Sequence, residues 1–317
     1  MKDWPGVSVN HVAVPTALEF CNPSITGRVG GFSVLVRALD PVPYAGPALP
    51  FVSSESWLVD YTENLAVRSI LKLDDRDVRQ KCFEAIHGLE DGRLFEWRGQ
   101  LWILYSGLRR EGSRYYNTML ICRIEGDRLT DYRALPSPKH LEREKNWMPW
   151  VLGEELYLVY STEPVEIYRV SATGLEFVPN GSGTRHSVAP VGGAMMSGSS
   201  QVIPWGKGRY LAVTHHRRRA AMLKKLYMKH LSRDPAYQRK KVVFHHYLMV
   251  FDESFTLLGR SGPFQFETEG VEFCAGIAIH GDQVMLSYGV MDNQARILTM
   301  EAAQLERAFF PQSFHSP

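Results

Sequence analysis

Apolar residues in this chain come in short runs that alternate with polar or small residues, and glycine-bearing turns break the runs at similar places. Alternation at period two is the mark of a half-buried strand, and two such runs around a tight turn make a hairpin. Five segments can be laid together without gaps: NPSITGRVGGFSVLVRA from Asn22, DGRLFEWRGQLWILYSG from Asp91, NWMPWVLGEELYLVYST from Asn146, SQVIPWGKGRYLAVTHH from Ser200 and CAGIAIHGDQVMLSYGV from Cys274. A glycine follows each start by seven or eight residues: Gly30, Gly99, Gly153, Gly208 and Gly281. Fourteen residues after each start stands Val36, Tyr105, Tyr160, Thr214 or Tyr288, and the next position holds Arg37, Ser106, Ser161, His215 or Gly289.

A second hairpin pattern follows the first four units: SWLVDYTENLAVRSILKL, NTMLICRIEGDRLTDYRAL, VEIYRVSATGLEFVP and HHYLMVFDESFTLLGRSG. Four strands per unit, five units and no βαβ pattern predict an all-β fold, a five-bladed β-propeller formed by residues 1–317 as a single domain. The fifth unit departs from the rest, because ARILTMEAAQLERAFF turns helical after its first few residues. Its outer strand is therefore expected from the other end of the chain. The alternating VSVNHVAV, residues 7–14, would close the ring and cover an open edge.

Composition fits a globular protein with a sizeable core: 317 residues, 44% hydrophobic and 22% charged. A formal net charge of only +2 gives no global attraction to nucleic acid or membrane. The first twenty residues lack a signal-peptide pattern, and no run of 18 apolar residues exists, so no membrane span is expected. Cys21, Cys82, Cys122 and Cys274 are dispersed and form no CxxC pair. That spacing points to reduced thiols, a cytoplasmic location and neither a zinc nor a redox motif. No cofactor or metal is expected. One segment distorts the charge balance: Arg217 to Lys241 holds ten Lys or Arg and one acid, leaving a formal −7 on the rest. Leu223, Leu226, Tyr227 and Leu231 have helical spacing, so a basic amphipathic helix is expected to project from blade four. A packed solvated helix, an anion-binding lid, a subunit contact and a nucleic-acid patch all remain open for it. Nucleic acid is the weakest of these partners, and a homo-oligomer stays open.

In a propeller, equivalent positions of all blades meet at one mouth of the central channel. The register brings together Asn22, Asp91, Asn146, Ser200 and Cys274, with Glu90, Lys145, Ser199 and Glu272 beside them. A ring of carboxylates, amides and cations suits a polyhydroxylated ligand. From spacing alone, Glu90-Asp91-Gly92-Arg93 is a charged strand entry with an Asp–Arg pair. A chemical role would need a carboxylate that moves a proton and an arginine that orients it or binds an anion. Trp147 has the shape to stack on a sugar face, although packing between blades is its commoner fate. His215 suits a phosphate or a sugar hydroxyl better than a metal. Tyr288 and Asp292 end the fifth hairpin at the same mouth.

The ordered set Asn22-Pro23-Ser24-Ile25, Val36-Arg37-Ala38, Glu90-Asp91-Gly92-Arg93, Lys145-Asn146 and Tyr288-Gly289-Val290-Met291-Asp292 resembles glycoside hydrolase family 130. That family consists of five-bladed propellers acting mainly on β-mannosides, with phosphorylases, hydrolases and related mannosyltransferases. The resemblance runs from about Asn22 to Asp292. It implies an oligosaccharide or glycoside substrate and an inverting mechanism. Asp91 would be the general acid, passing its proton through a sugar hydroxyl to the glycosidic oxygen. Inorganic phosphate is then a candidate co-substrate, with Arg93, Lys145 and His215 as anion-binding groups. In a hydrolase, Glu272 is the candidate base by position. Two departures stand out: Gly92 replaces the proline of the usual Glu-Asp-Pro-Arg, and Lys145-Asn146-Trp147-Met148-Pro149 differs from the usual form. The alternatives are a glycosyltransferase of the same fold and a non-catalytic glycan- or protein-binding propeller.

Overall fold

A computed structural model describes residues 1–39, 54–179, 196–219, 242–267 and 270–310. Twenty-one strands form five antiparallel sheets, the blades of a five-bladed propeller. The chain opens with β1 (Ser8–Val12). Blade one is β2 (Glu19–Arg28), β3 (Gly31–Leu39), β4 (Ser54–Thr62) and β5 (Val67–Lys72), from the inside out. A short helix, α1 (Arg76–Lys81), leads to blade two: β6 (Leu89–Trp97), β7 (Gln100–Glu111), β8 (Arg114–Glu125) and β9 (Arg128–Ala134). Blade three is β10 (Met148–Leu152), β11 (Glu155–Thr162), β12 (Val165–Val170) and β13 (Leu175–Val178).

In blade four the inner strand is split into β14 (Ser197–Gly198) and β15 (Ile203–Gly206). Both pair with β16 (Arg209–Arg219), which is followed by β17 (Val242–Asp252) and β18 (Leu257–Arg260). Blade five is β19 (Glu272–His280), β20 (Gln283–Val290) and β21 (Gln294–Glu301), and α2 (Ala302–Phe309) ends the described chain. Every predicted hairpin is present. The expected basic helix falls at 220–241, outside the described residues. Arg217, Arg218 and Arg219 at its start belong instead to β16, paired with Phe244, Val243 and Val242.

The ring closes as the sequence predicts. β1 is the outermost strand of blade five, paired with β21 from Ser8 opposite Thr299 to Val12 opposite Ala295. Closure satisfies the free edge of β21, which would otherwise offer unpaired amides. The core is divided among the blade interfaces. Leu35, Leu58, Leu94 and Ile103 join blades one and two; Phe95, Met119, Trp147 and Leu158 join two and three. Trp150, Phe251 and Phe255 join three and four; Leu248, Phe266 and Tyr288 join four and five; Val12, Ile25, Phe32 and Met285 join five and one. Each such side chain, fully buried, contributes roughly 1.5–3 kcal/mol. Gln201, 3% exposed, ties blade four to blades one and five. Gln201 donates to the carbonyls of Ile25 and Ile277 at 2.6 and 2.8 Å and accepts from the Ile277 amide at 3.3 Å. Polar ties cross the remaining seams, such as Ser24 Oγ to the Ala275 carbonyl at 2.8 Å.

All four cysteines are free and buried. Among the described residues, no helix is long and apolar enough to cross a membrane. Closure by β1 generates a test. Val12 is 1% exposed between blades five and one. Val12→Asp should therefore lower stability by several kcal/mol, about 2–4 °C in Tm for each kcal/mol in a domain of this size. Circular dichroism melting checks it; an unchanged melting curve would show that β1 does not close the ring.

Candidate active site at the channel mouth

The repeated start positions have an unusual backbone. Asn22, Asp91 and Asn146 have φ of 48°, 44° and 66°, the left-handed region that Asn and Asp tolerate best after glycine. In blades one and two this residue sits in a bulge. The register skips from Cys21 to Ser24 and from Glu90 to Arg93, so the extra residues leave the ladder and re-aim their side chains. The Asn–Asp–Asn pattern is thus partly a backbone requirement. The backbone does not require a carboxylate at 91, because Asn fills the same slot in blades one and three.

Asp91 Oδ1 accepts from Asn22 Nδ2 at 2.9 Å and from Arg37 Nη1 at 3.0 Å. The other Arg37 terminal nitrogen lies 3.3 Å from Glu90 Oε1. Lys145 Nζ reaches Glu90 Oε2 at 2.5 Å. Asn117 Nδ2 lies 3.5 Å from the same oxygen and donates to Ser106 Oγ at 3.2 Å. Two carboxylates and two cations therefore meet at the mouth, contributed by blades one and two and the segment entering blade three. All four retain solvent contact, Lys145 most, with 38% of its side chain exposed.

Arg93 has a different place. It is completely buried. Nε donates to the Ser199 carbonyl at 3.0 Å, Nη1 to the Asp91 carbonyl at 2.6 Å and Nη2 to Asn146 Oδ1 at 2.8 Å. Its guanidinium also lies over the Phe273 ring, 5.3 Å from the centroid. The expected anion-binding role is corrected: Arg93 is a tie between blades two, three and four. His215 is buried too, bonded through Nδ1 to Ser199 Oγ at 2.7 Å and packed against Phe244 and Phe273. Burial, with help from Arg93, pushes its pKa down to about 3, so it is neutral and offers no charge to phosphate.

Three further expectations fail on geometry. Trp147, 1% exposed, fills the interface of blades two and three, with Nε1 donating to Glu144 Oε2 at 3.2 Å. It offers no ring face to a sugar. Glu272, also 1% exposed, accepts from the backbone amides of Phe266 and Glu267 at 2.8 and 2.9 Å. It clamps a loop and is not a base aimed at water. Tyr288 has no exposed surface; its ring stacks on Phe266 and its hydroxyl donates to Glu267 at 2.8 Å. Asp292, half-buried, lies in the left-handed turn between β20 and β21. Gly289, beside Tyr288, does serve the mouth: a Cβ there would stand 2.5 Å from Asn22 Oδ1.

Asn117 and Glu144 were not singled out in the sequence. Asn117 opens the second hairpin of blade two, and the register that places Ser106 at the mouth was the available signal. Glu144, 4% exposed, accepts from Ser137, Tyr160 and Trp147 and so anchors the segment carrying Lys145 and Asn146. The departure at Gly92 also has a cause. A Cβ there would lie 2.6–2.7 Å from Leu35, Ile103 and Tyr105, and the Tyr105 ring is fixed by its hydroxyl bond to Ser56 at 2.8 Å.

Burial alone would raise the pKa of Asp91, but Arg37, Arg93, Lys145 and the Asn22 hydrogen bond outweigh it and hold the value at about 2. The ligand-free mouth therefore presents an ionised Asp91. Arg37, buried beside two carboxylates, is pushed further into its charged form.

No family model matches the sequence, and no curated protein matches it. Solved structures do match in shape. β-1,2-Mannobiose phosphorylase from Listeria innocua aligns with a TM-score of 0.58 at 12% identity, over 98% of this chain and 95% of that one. The fold is the five-bladed propeller of that enzyme. A glycosyl hydrolase from Bacteroides ovatus gives 0.59 at 16% identity, over 89% and 84%. A structure from the GH130 family of mannoside phosphorylases, described with hydrolases that target β-1,2 mannosidic linkages, gives the same values. At these identities the likeness concerns the fold.

Two measurements follow. Gly92→Ala should cost about 1–3 kcal/mol through overpacking, seen as a lower urea midpoint with unchanged slope; a neutral result would mean the pocket around Tyr105 relaxes. Stability should also fall in acid. His215 is neutral in the fold at about pH 3 and above but titrates near 6.5 when unfolded, so its contribution is full above about 6.5 and declines as pH drops toward 3. Asp91 adds a loss below about pH 4, continuing as pH falls to 2. His215→Gln should flatten the fall in unfolding free energy between pH 6.5 and 5 by up to about 1.4 kcal/mol per pH unit, read from urea melts; an identical pH dependence would contradict the buried neutral histidine.

Proposed function

We propose that this chain is a carbohydrate-active enzyme that cleaves or transfers a β-mannoside-like glycosyl unit with inversion, and that Asp91 supplies the proton. The observation that carries the proposal is the carboxylate itself. It occupies a left-handed slot that asparagine fills in neighbouring blades, at a solvent-reached mouth beside two cations. The shape likeness to a mannobiose phosphorylase supports the substrate class.

Phosphorolysis is the favoured reaction. A hydrolase of this type needs a second carboxylate to activate water across the sugar, and Glu272 is occupied with backbone amides. Arg37 and Lys145 suit an anionic nucleophile instead. A phosphate oxygen would attack the anomeric carbon as the glycosidic C–O bond breaks. The Asp91 proton, relayed by a sugar hydroxyl, would pass to the leaving oxygen, giving a sugar 1-phosphate of inverted configuration and a free sugar. Asp91 lacks that proton in the ligand-free mouth. Phosphate bound near Arg37 and Lys145 would offset the cations that depress its pKa, leaving burial to raise it. Proton loading would then follow anion binding.

The Arg37–Asp91 ion pair favours one other reading, a glycan-binding propeller in which Asp91 is a structural partner. A screen of β-mannosides with and without inorganic phosphate separates the two, with sugar phosphate as the expected product. Asp91→Asn should still fold, with a somewhat lower melting temperature because the Arg37 ion pair is lost, and should lose turnover by about 10²–10⁴-fold, the range for a general acid. Near-wild-type turnover in that variant would overturn the assignment, as would binding of glycosides without conversion of any.

A further inference from the structure

Glu90 and Lys145 hold the same place in consecutive repeats, the residue just before the left-handed Asp91 or Asn146. The other blades put Cys21, Ser199 and Phe273 there, so the fold asks for no particular side chain at this position. The register sets the pair side by side at the mouth, with Lys145 Nζ 2.5 Å from Glu90 Oε2. The other carboxylate oxygen, Oε1, faces Arg37 Nη2 at 3.3 Å. Each Glu90 oxygen thus lies on a different cation, and these are the two cations that a phosphate nucleophile would need.

The partners differ in their freedom. Arg37 is tied more closely to Asp91, at 3.0 Å. Glu90 is held by its strand, where it pairs with Ser106, and by Asn117, whose side-chain nitrogen lies 3.5 Å from Oε2. Asn117 is itself fixed: its backbone amide donates to the Glu142 carbonyl and its carbonyl accepts from the Glu144 amide, both at 2.9 Å. Lys145 is the exception. It is the most exposed of the four charged groups and sits on a flexible four-carbon stem. Glu144 before it and Asn146 after it are both bonded into the blades, so the stem can swing while the backbone stays. The formal charges of Arg37, Lys145, Glu90 and Asp91 cancel.

We propose that Glu90 is a specificity-determining residue of the mouth: its carboxylate is an internal stand-in for phosphate on Arg37 and Lys145, and incoming phosphate takes Lys145 from it. The inference rests on the reading of the mouth as a phosphate-using glycoside site, and it names the residue that sets the affinity for the anion. A fixed carboxylate at this distance opposes a second anion twice, by like-charge repulsion and by occupying the ammonium. Phosphate is therefore held loosely, and the lysine is handed over when the anion arrives. Loose binding suits a co-substrate, because tight binding of the ground state lowers KM without raising kcat.

Calorimetric titration with inorganic phosphate at low salt tests this without any need for turnover. Glu90→Gln keeps the shape of the side chain and removes its charge, and it should bind phosphate about tenfold or more tightly than the wild type. The double variant Glu90→Gln, Lys145→Met should lose that gain. Equal or weaker binding by Glu90→Gln, or a gain that survives in the double variant, would overturn the proposal. Should Glu90→Gln not fold, carbon-13 NMR of the wild type decides: saturating phosphate should shift the Glu90 carboxyl signal as Lys145 leaves it, and an unmoved signal would sink the idea. Turnover separates this inference from the reading it rests on. Phosphate-dependent cleavage of a β-mannoside with the same KM for phosphate in Glu90→Gln as in the wild type would remove the role of Glu90 and leave the catalytic reading. Tighter phosphate binding by Glu90→Gln, with no glycoside converted by the wild type, would do the reverse.

Discussion

A guanidinium with no contact to solvent organises the mouth of this propeller. An unpaired buried charge is prohibitive, so Arg93 must be surrounded by acceptors, and they come from three blades: the carbonyls of Asp91 and Ser199 and the side-chain oxygen of Asn146. Asp91, whose carboxylate reaches the mouth, therefore gives its own carbonyl to the buried cation. Asn146 is fixed from both sides, by Arg93 and by the Glu144 anchor one turn of chain earlier. Removing one partner of such a buried network costs about 3–5 kcal/mol, and here it would also free the backbone that aims Asp91.

This arrangement sets an electrostatic conflict at Asp91. Burial pushes the Asp91 carboxyl toward its neutral form, and three cations push it toward the ionised one. In the empty mouth the cations win. Under the proposed function, an incoming anion would offset the cations and let burial raise the Asp91 pKa. The neutral, buried His215 packs against Phe273, the ring that Arg93 lies over, and bonds Ser199, whose carbonyl Arg93 needs.

Much of the fold was legible because strands and turns leave local marks. Period-two alternation and the glycines at 30, 99, 153, 208 and 281 located all five inner hairpins, and the helical character after Met300 pointed to the N-terminal strand as the missing edge. The meeting of Asn22, Glu90, Asp91 and Lys145 at one mouth was expected from register, and Arg37 entered through the family-like motif around it. Direction within a bulge did not. Trp147 stands one residue past a left-handed Asn146, so its side chain turns away from the mouth into the blade interface. Glu272 stands at a strand start like Glu90, yet its oxygens are claimed by the amides of Phe266 and Glu267, a loop contact with no local signature. The polarity of Arg93 suggested a ligand contact, and only burial reveals it as a tie. Gly92 is explained by Tyr105 and Leu35, residues remote from it in the pattern.

The central claim is that the charge balance around Asp91, set by Arg37, Arg93 and Lys145, governs its proton. Carbon-13 NMR of the Asp91 carboxyl, titrated against pH with and without inorganic phosphate, tests it most directly. The account predicts a pKa of about 2 in the free protein and an upward shift of about two units or more when phosphate is bound, the size expected when opposite charges are offset. A carboxyl that titrates at the same pH in both states would contradict it.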